Sequence, residues 1–289
     1  MSAALIPVKN AVSPLLMRGS TYGMNALIKK GEVKNLFIGS SMFRQGLDAE
    51  ILDRYMAMDW YLLSYNANQP VMEAFELEYL LDHGVKIDNL YIDMYAYTAF
   101  DEPKLSDEKI LLDISLTQKA ELYKLLYGGK PRAKELWQMY ISSNNDAIIT
   151  WPVTARVVND QFDRGTTKAF TRGSDENELN GAEPFIISST MHPEQKEGIQ
   201  RIIDLSKENN INLIFVETPK YNTIQSYEPY MNAMQQYMEY LDKEGTRYIL
   251  AEDICIDNSD ASLFMDQVHL SSEGRREFTE GLMEELEKQ

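Results

Sequence analysis

The stretch Leu36-Phe37-Ile38-Gly39-Ser40-Ser41 decides the fold. Three consecutive apolar residues form a short buried run, Gly-Ser-Ser makes a tight turn, and Leu47, Ile51 and Leu52 then recur at helical spacing. Strand, sharp turn, helix is the reading, and the same alternation continues outward from it. Residues 60–64 read as a second strand. The turn Asn66-Ala67-Asn68-Gln69-Pro70 follows, then a helix with Met72, Phe75, Tyr79 and Leu80 on one side and a stop signal at Gly84. Residues 90–95, 211–216 and 248–250 read as further strands. Helices are marked by Ile199, Ile202 and Ile203, by Met234, Tyr237, Met238 and Leu241, and by Phe278, Leu282 and Leu286. Parallel strands need crossover connections, so this order predicts a parallel sheet with helices on both faces, a three-layer α/β/α fold.

From roughly residue 96 to 185 the alternation stops. Helix-like runs at 122–126 and 134–140 lead into a polar segment at 172–181. A segment of that length is expected to be a largely helical insertion in a single domain spanning 1–289, placed to act as a lid or binding surface. The alternative is an oligomer interface.

Composition narrows the function classes. Acidic residues outnumber basic ones by 45 to 28, and the formal charge of -17 repels phosphate backbones, so nucleic acid is not an expected partner. The single cysteine, Cys255, excludes an internal disulfide and any multi-cysteine metal site, and its neighbours Ile254 and Ile256 suggest packing. No run approaches the roughly 20 apolar residues that a membrane-spanning helix needs. Lys9 and Asn10 interrupt the apolar start and no basic segment precedes it, so a cytoplasmic location is expected from the chain as written.

A serine on a turn after the first strand stands at the carboxyl edge of a parallel sheet, where ligands of open α/β folds collect. By itself such a serine is more often a helix cap. The far end of the chain changes that balance. Asp266-Gln267-Val268-His269 precedes Leu270-Ser271-Ser272, where either serine can cap the final helix, so Asp266 and His269 fall on a loop bordering the same edge. Three-residue spacing lets the carboxylate accept the imidazole Nδ1 proton while Nε2 faces a hydroxyl, an arrangement that makes a histidine a general base and fixes its tautomer.

Gly39-Ser40-Ser41 with Gly46, and Asp266-x-x-His269-Leu270, together resemble the SGNH (GDSL-type) hydrolase superfamily. The resemblance covers the first and last hundred residues and implies a flavodoxin-like fold, with Ser41 as nucleophile, His269 as base and Asp266 as its orienting carboxylate. It implies a small acyl ester, in some relatives carbohydrate-linked, as substrate, with no metal or other cofactor. The chain departs from the common pattern in two places. Ser40 stands where aspartate is usual, as in the branch that includes cell-envelope acyltransfer proteins, and that branch implies an extracytoplasmic site with an anchor upstream. The usual oxyanion donors, a glycine amide after strand two and an asparagine after strand three, are also missing. Ala67 or Asn68 supplies a backbone N–H at the first place, beside the Ser41 amide, and Asp93-Met94-Tyr95 occupies the second. Loss of one donor costs about 3 kcal/mol of transition-state stabilisation, so weak activity or an unusual acyl acceptor is expected.

Other residues carry less. Arg44, just after the turn, is a candidate for an anionic substrate, against the plain reading of a surface arginine. Tyr95, Tyr97, Trp137, Trp151 and Phe162 are candidates to line an acyl or sugar pocket, against core packing. His83 and His192 sit at helix ends, no histidine pair has metal-ligand spacing, and Gly128-Gly129-Lys130 reads as a turn. The oligomeric state is not encoded in any of these features.

Overall fold

The computed structural model describes residues 24–107, 110, 114–128 and 175–288. The expected residues 134–140, with Trp137, Trp151 and Phe162, lie outside them. Five parallel strands form one sheet: β1 (Glu32–Gly39), β2 (Trp60–Ser64), β3 (Lys86–Asp93), β4 (Asn212–Val216) and β5 (Arg247–Ile249), in the order β2-β1-β3-β4-β5. This is the flavodoxin-like order, and its direction reverses between β1 and β3, so the switch point lies where Ser41 and Asp93 leave the sheet. β3 runs from Lys86 to Asp93 rather than over 90–95, because its pairing begins where Lys86 meets Glu32 and ends where Asp93 meets Val216.

The pleat sends alternate side chains to opposite faces. Leu36, Ile38, Leu90, Ile92 and Phe215 enter a core closed by the helices Pro70–Asp82, Pro193–Glu208 and Glu228–Lys243. Phe37, Leu62, Tyr91, Ile214 and Val216 enter the opposite core, closed by Ser41–Gly46, Ala49–Tyr55 and Ser272–Glu287. Both faces are covered, and the three layers follow. Cys255 is exposed, in contrast to the packing expected of it: it caps a 3₁₀ turn at a φ of 57°, which turns its side chain outward while Ile254 stays buried.

The Pro70–Asp82 helix also buries more than its apolar side. Glu73 and Glu76 are enclosed in the core, and Glu73 Oε2 has no hydrogen-bond partner among the described residues. Burial, then the charges of Asp93 and Glu76, hold the Glu73 carboxyl well above the ordinary range. The folded chain thus binds this proton more tightly than the unfolded one. Its contribution to stability is complete below the unfolded glutamate pKa of about 4.3 and is lost as pH rises through the folded value. Glu73→Gln should therefore gain stability relative to the parent as pH is raised, a trend that thermal unfolding across a pH series would read. A difference that stays constant with pH would show that Glu73 carries no such proton.

Candidate active site

Ser40 and Ser41 are neighbours with different surroundings. Ser40 is the N-cap of the Ser41–Gly46 helix: its Oγ accepts the Met42 N–H at 3.1 Å. The same hydroxyl donates to Asp93 Oδ2, and the Ser40 N–H donates to that oxygen at 3.2 Å. Ser40 is 1% exposed and its one proton is committed to Asp93. Ser41 is half-buried, and its Oγ lies 2.9 Å from His269 Nε2. Positions 40 and 93 therefore touch each other. A serine at position 40 and a carboxylate at 93 make a hydrogen bond where two acidic side chains would repel.

Asp266 and His269 lie on a short hairpin. Phe264 and Leu270, both fully buried, form an antiparallel bridge that pins its base, and the Met265 N–H donates to the His269 carbonyl at 2.8 Å. Asp266 Oδ1 accepts the N–H groups of Val268 at 2.9 Å and His269 at 2.8 Å. His269 Nδ1 sits 2.8 Å from Asp266 Oδ2. With the Nδ1 proton directed at this carboxylate, Nε2 is left to accept from Ser41. Burial pushes the Asp266 carboxyl up, but hydrogen bonding and charge from His269, with the two backbone donors, outweigh it and hold the group below its ordinary value. Ser271 is the serine that caps the last helix, accepting the Gly274 N–H at 3.2 Å while donating to the Ser262 carbonyl at 2.7 Å.

The other sequence candidates gather at the same edge. One Arg44 N–H donates to the Asn66 side chain, tying the β1 turn to the β2 turn. Tyr95 follows β3 half-buried, and burial, then Tyr97, Asp93 and Asp266, push its phenol up. Ala67 is exposed at a φ of 45°. Asn68 is buried; its N–H donates to the Tyr65 carbonyl at 3.3 Å and its side-chain amide donates to Glu76 Oε1 at 3.1 Å. Its donors are thus already engaged within the protein. The Ser41 amide, in the first turn of its helix, has no intrahelical acceptor.

Three residues were not singled out from sequence. For Asp93 the sequence offers only its place at the end of the third strand, where the resemblance calls for an asparagine. Lys220, at the carboxyl edge after β4, is fully buried. Gln267 is buried, its side-chain amide donating to the carbonyls of Leu179 at 3.3 Å and Ala182 at 3.2 Å and to Thr223 Oγ1 at 3.0 Å. Position at a strand's carboxyl edge was the one available signal for Lys220. Among the described residues no cluster of histidine, cysteine and acidic side chains can hold a metal ion, and no helix is long and apolar enough to cross a membrane.

The chain matches no sequence family and no curated protein. Among solved structures it is similar to a GDSL-like lipase from Bacteroides thetaiotaomicron, at 9% identity and a TM-score of 0.42, over 90% of this chain and 89% of that one. It is also similar to a protein assigned as an acylhydrolase from Bacteroides fragilis, at 10% identity and a TM-score of 0.42, over 96% and 95% of the two chains. A third, assigned as a platelet activating factor from Streptococcus pneumonia, has 11% identity and a TM-score of 0.44, with 99% of each chain covered. Likeness at this level decides nothing about the chemistry, which rests on the side chains at the sheet edge.

Proposed function

We propose that the chain is a serine-dependent esterase or O-acyltransferase of SGNH type acting on a small acyl ester, carbohydrate-linked esters included. The observation that carries this reading is the continuous line from Ser41 Oγ through His269 to Asp266, at 2.9 Å and 2.8 Å. Ser41 Oγ attacks the acyl carbon while His269 Nε2 takes its proton. The tetrahedral intermediate collapses, the alcohol leaves with that proton, and Ser41 holds the acyl group. Water or a sugar hydroxyl, deprotonated by His269, then releases it. Asp266 orients the ring and stabilises the imidazolium.

A second reading, a catalytically weak binding or assembly protein on the same fold, is favoured by the oxyanion side. Asp93 stands where an asparagine donor is usual, and an ionised carboxylate cannot donate. Asn68 is engaged with Glu76 and Tyr65. The Ser41 amide and the Ala67 amide are the donors proposed to remain. The insertion is proposed to form the site's rim, since the Asn66 N–H donates to Asp107 at 3.0 Å near one end of it and Gln267 is bonded to Leu179 and Ala182 near the other.

Labelling and turnover separate the two readings. A serine-directed phosphonate should form a stoichiometric adduct on Ser41, seen by peptide mass spectrometry, while turnover of an activated acetyl ester is slow. The loss of one donor corresponds to about 10²–10³-fold in kcat. An adduct on Ser40, or none at all, would remove the esterase reading. Fast turnover would remove the weak-site reading.

A further inference from the structure

Asp266 and His269 are held to each other by bonds inside their own hairpin, and such bonds do not fix where the hairpin stands against Ser41. The bridge between Phe264 and Leu270, the Met265 N–H on the His269 carbonyl and the two N–H groups on Asp266 Oδ1 all begin and end between residues 264 and 270. The buried side chains of Phe264, Val268 and Leu270 press the hairpin onto the protein, but apolar burial has no direction. Gln267, between the carboxylate and the imidazole in sequence, makes directed contacts that leave the hairpin.

Gln267 is 7% exposed, and its carbonyl accepts the Tyr221 N–H at 3.0 Å. The Tyr221 ring in turn packs edge-on against Phe264 at 5.5 Å. The Gln267 side-chain amide shares two protons among three acceptors: the Leu179 carbonyl at 3.3 Å, the Ala182 carbonyl at 3.2 Å and Thr223 Oγ1 at 3.0 Å. Leu179 lies in the last turn of the Glu176–Gly181 helix and Ala182 is its C-cap. Carbonyls at a helix end lack intrahelical donors, so the amide supplies what the helix cannot. Thr223 belongs to a second element, the Asn222–Gln225 helix that follows β4. An apolar side chain of the same length would fill this space without burying a polar group; what the amide adds is direction.

We infer that Gln267 is a positioning residue of the serine site: its amide ties the hairpin to two separate helices and so sets the reach of His269 Nε2 to Ser41 Oγ. This rests on the ester-chemistry reading above. The imidazole is two residues from the anchored side chain, on the same short loop, so a shift of the anchor moves the ring. The 2.9 Å between Nε2 and Oγ leaves little room for such a shift, since a displacement of about 1 Å can cost about 10²-fold in rate. The Asp266–His269 pair, bonded within the hairpin, would travel with the ring and keep its own geometry.

The test compares Gln267→Met and Gln267→Asn with the parent, in the full chain. Methionine keeps the length and loses both donors; asparagine keeps the donors and is one methylene shorter. The readout is the rate at which a serine-directed phosphonate labels Ser41, measured across a pH series well below Tm so that each value refers to folded protein. Gln267→Met should label about 10–100-fold more slowly at every pH, and the pH profile should keep the parent's shape because the Asp266–His269 pair moves as a unit. Gln267→Asn should lose less. For an ester that turns over, kcat should fall in the same proportion with KM within about twofold. A side chain that served the fold alone would lower Tm and leave the folded protein labelling at the parent's rate, which would overturn the inference. A profile whose limbs move would place the damage inside the Asp266–His269 pair and also overturns it. If Gln267→Met does not fold, Gln267→Asn decides on the same readouts; if neither folds, Gln267 serves folding and the inference falls. Labelling of the parent separates the two levels. Without it the ester reading falls and this inference with it; with it, the Gln267 results bear on the inference alone.

Discussion

Ser41→Ala and His269→Ala should each lower kcat for an activated acetyl ester by at least about 10³-fold, or to the uncatalysed background, with thermal unfolding nearly unchanged. The size follows from the roles proposed. Without the Ser41 hydroxyl no acyl-enzyme can form, and without the imidazole the hydroxyl proton has no acceptor within reach, since Nε2 at 2.9 Å is the base beside it. The two losses should not add, because the residues act as one unit. Neither side chain belongs to the packed core: both are partly exposed, so each substitution sits outside the mechanisms that cause large destabilisation. Asp266→Asn should cost less, about 10²–10⁴-fold, because the ring keeps a neighbour but loses the charge that fixes its tautomer. The neighbouring serine supplies the control. Ser40→Ala removes a cap and a bond to a buried carboxylate that help to hold the turn, so it should lower stability by about 1–3 kcal/mol and leave Ser41 labelled by a phosphonate, more slowly than in the parent. If Ser40→Ala abolished labelling in a folded protein while Ser41→Ala kept full activity, the nucleophile would have to be reassigned.

Gly39→Ala is expected to damage both stability and chemistry. A Cβ at this position would lie 2.5 Å from Asp93 Cβ and 2.9 Å from Phe43 Cδ2. Neither atom is the end of a flexible chain. Asp93 Cβ belongs to a strand residue in register with Val216, and the Phe43 ring is fully buried at 5.9 Å from Phe37 in an edge-on contact. Overpacking of a tight core costs about 1–3 kcal/mol, which lowers Tm by several degrees in a chain of this size. Relief by moving Asp93 would pull its Oδ2 from Ser40, so kcat should fall by more than the unfolded fraction explains. The checks are thermal unfolding and kcat measured well below Tm. Unchanged values for both would show that the strand end has room that the geometry denies it.

Much of the scaffold was legible because its period is local. Trp60–Ser64 is a strand at the bounds its residues suggested, since five apolar or small residues between turn signals leave little alternative. β3 was displaced by a few residues because its first half, Lys86-Ile87-Asp88-Asn89, is polar on the side that pairs near the sheet's open end. Glu73 and Glu76 were not read as buried, because a carboxylate in a helix is ordinarily a solvated face and only enclosure by neighbouring helices makes it otherwise. Residues 129–174, the middle of the segment from about 96 to 185 expected to act as a lid, lie outside the described residues.

By itself, the sequence determined the order of strands and helices, the parallel layering, and the identity of the three side chains proposed for chemistry. Each of these depends on spacing within a few residues: apolar periodicity, a Gly-Ser-Ser turn, and an Asp three residues before a His. The tertiary structure decided the contacts themselves, Ser41 Oγ against His269 Nε2 and Ser40 Oγ against Asp93 Oδ2. Those contacts close over 228 and 53 residues of chain. They depend on strand register and on which face each side chain leaves by, and a one-residue slip in either would exchange the two serines.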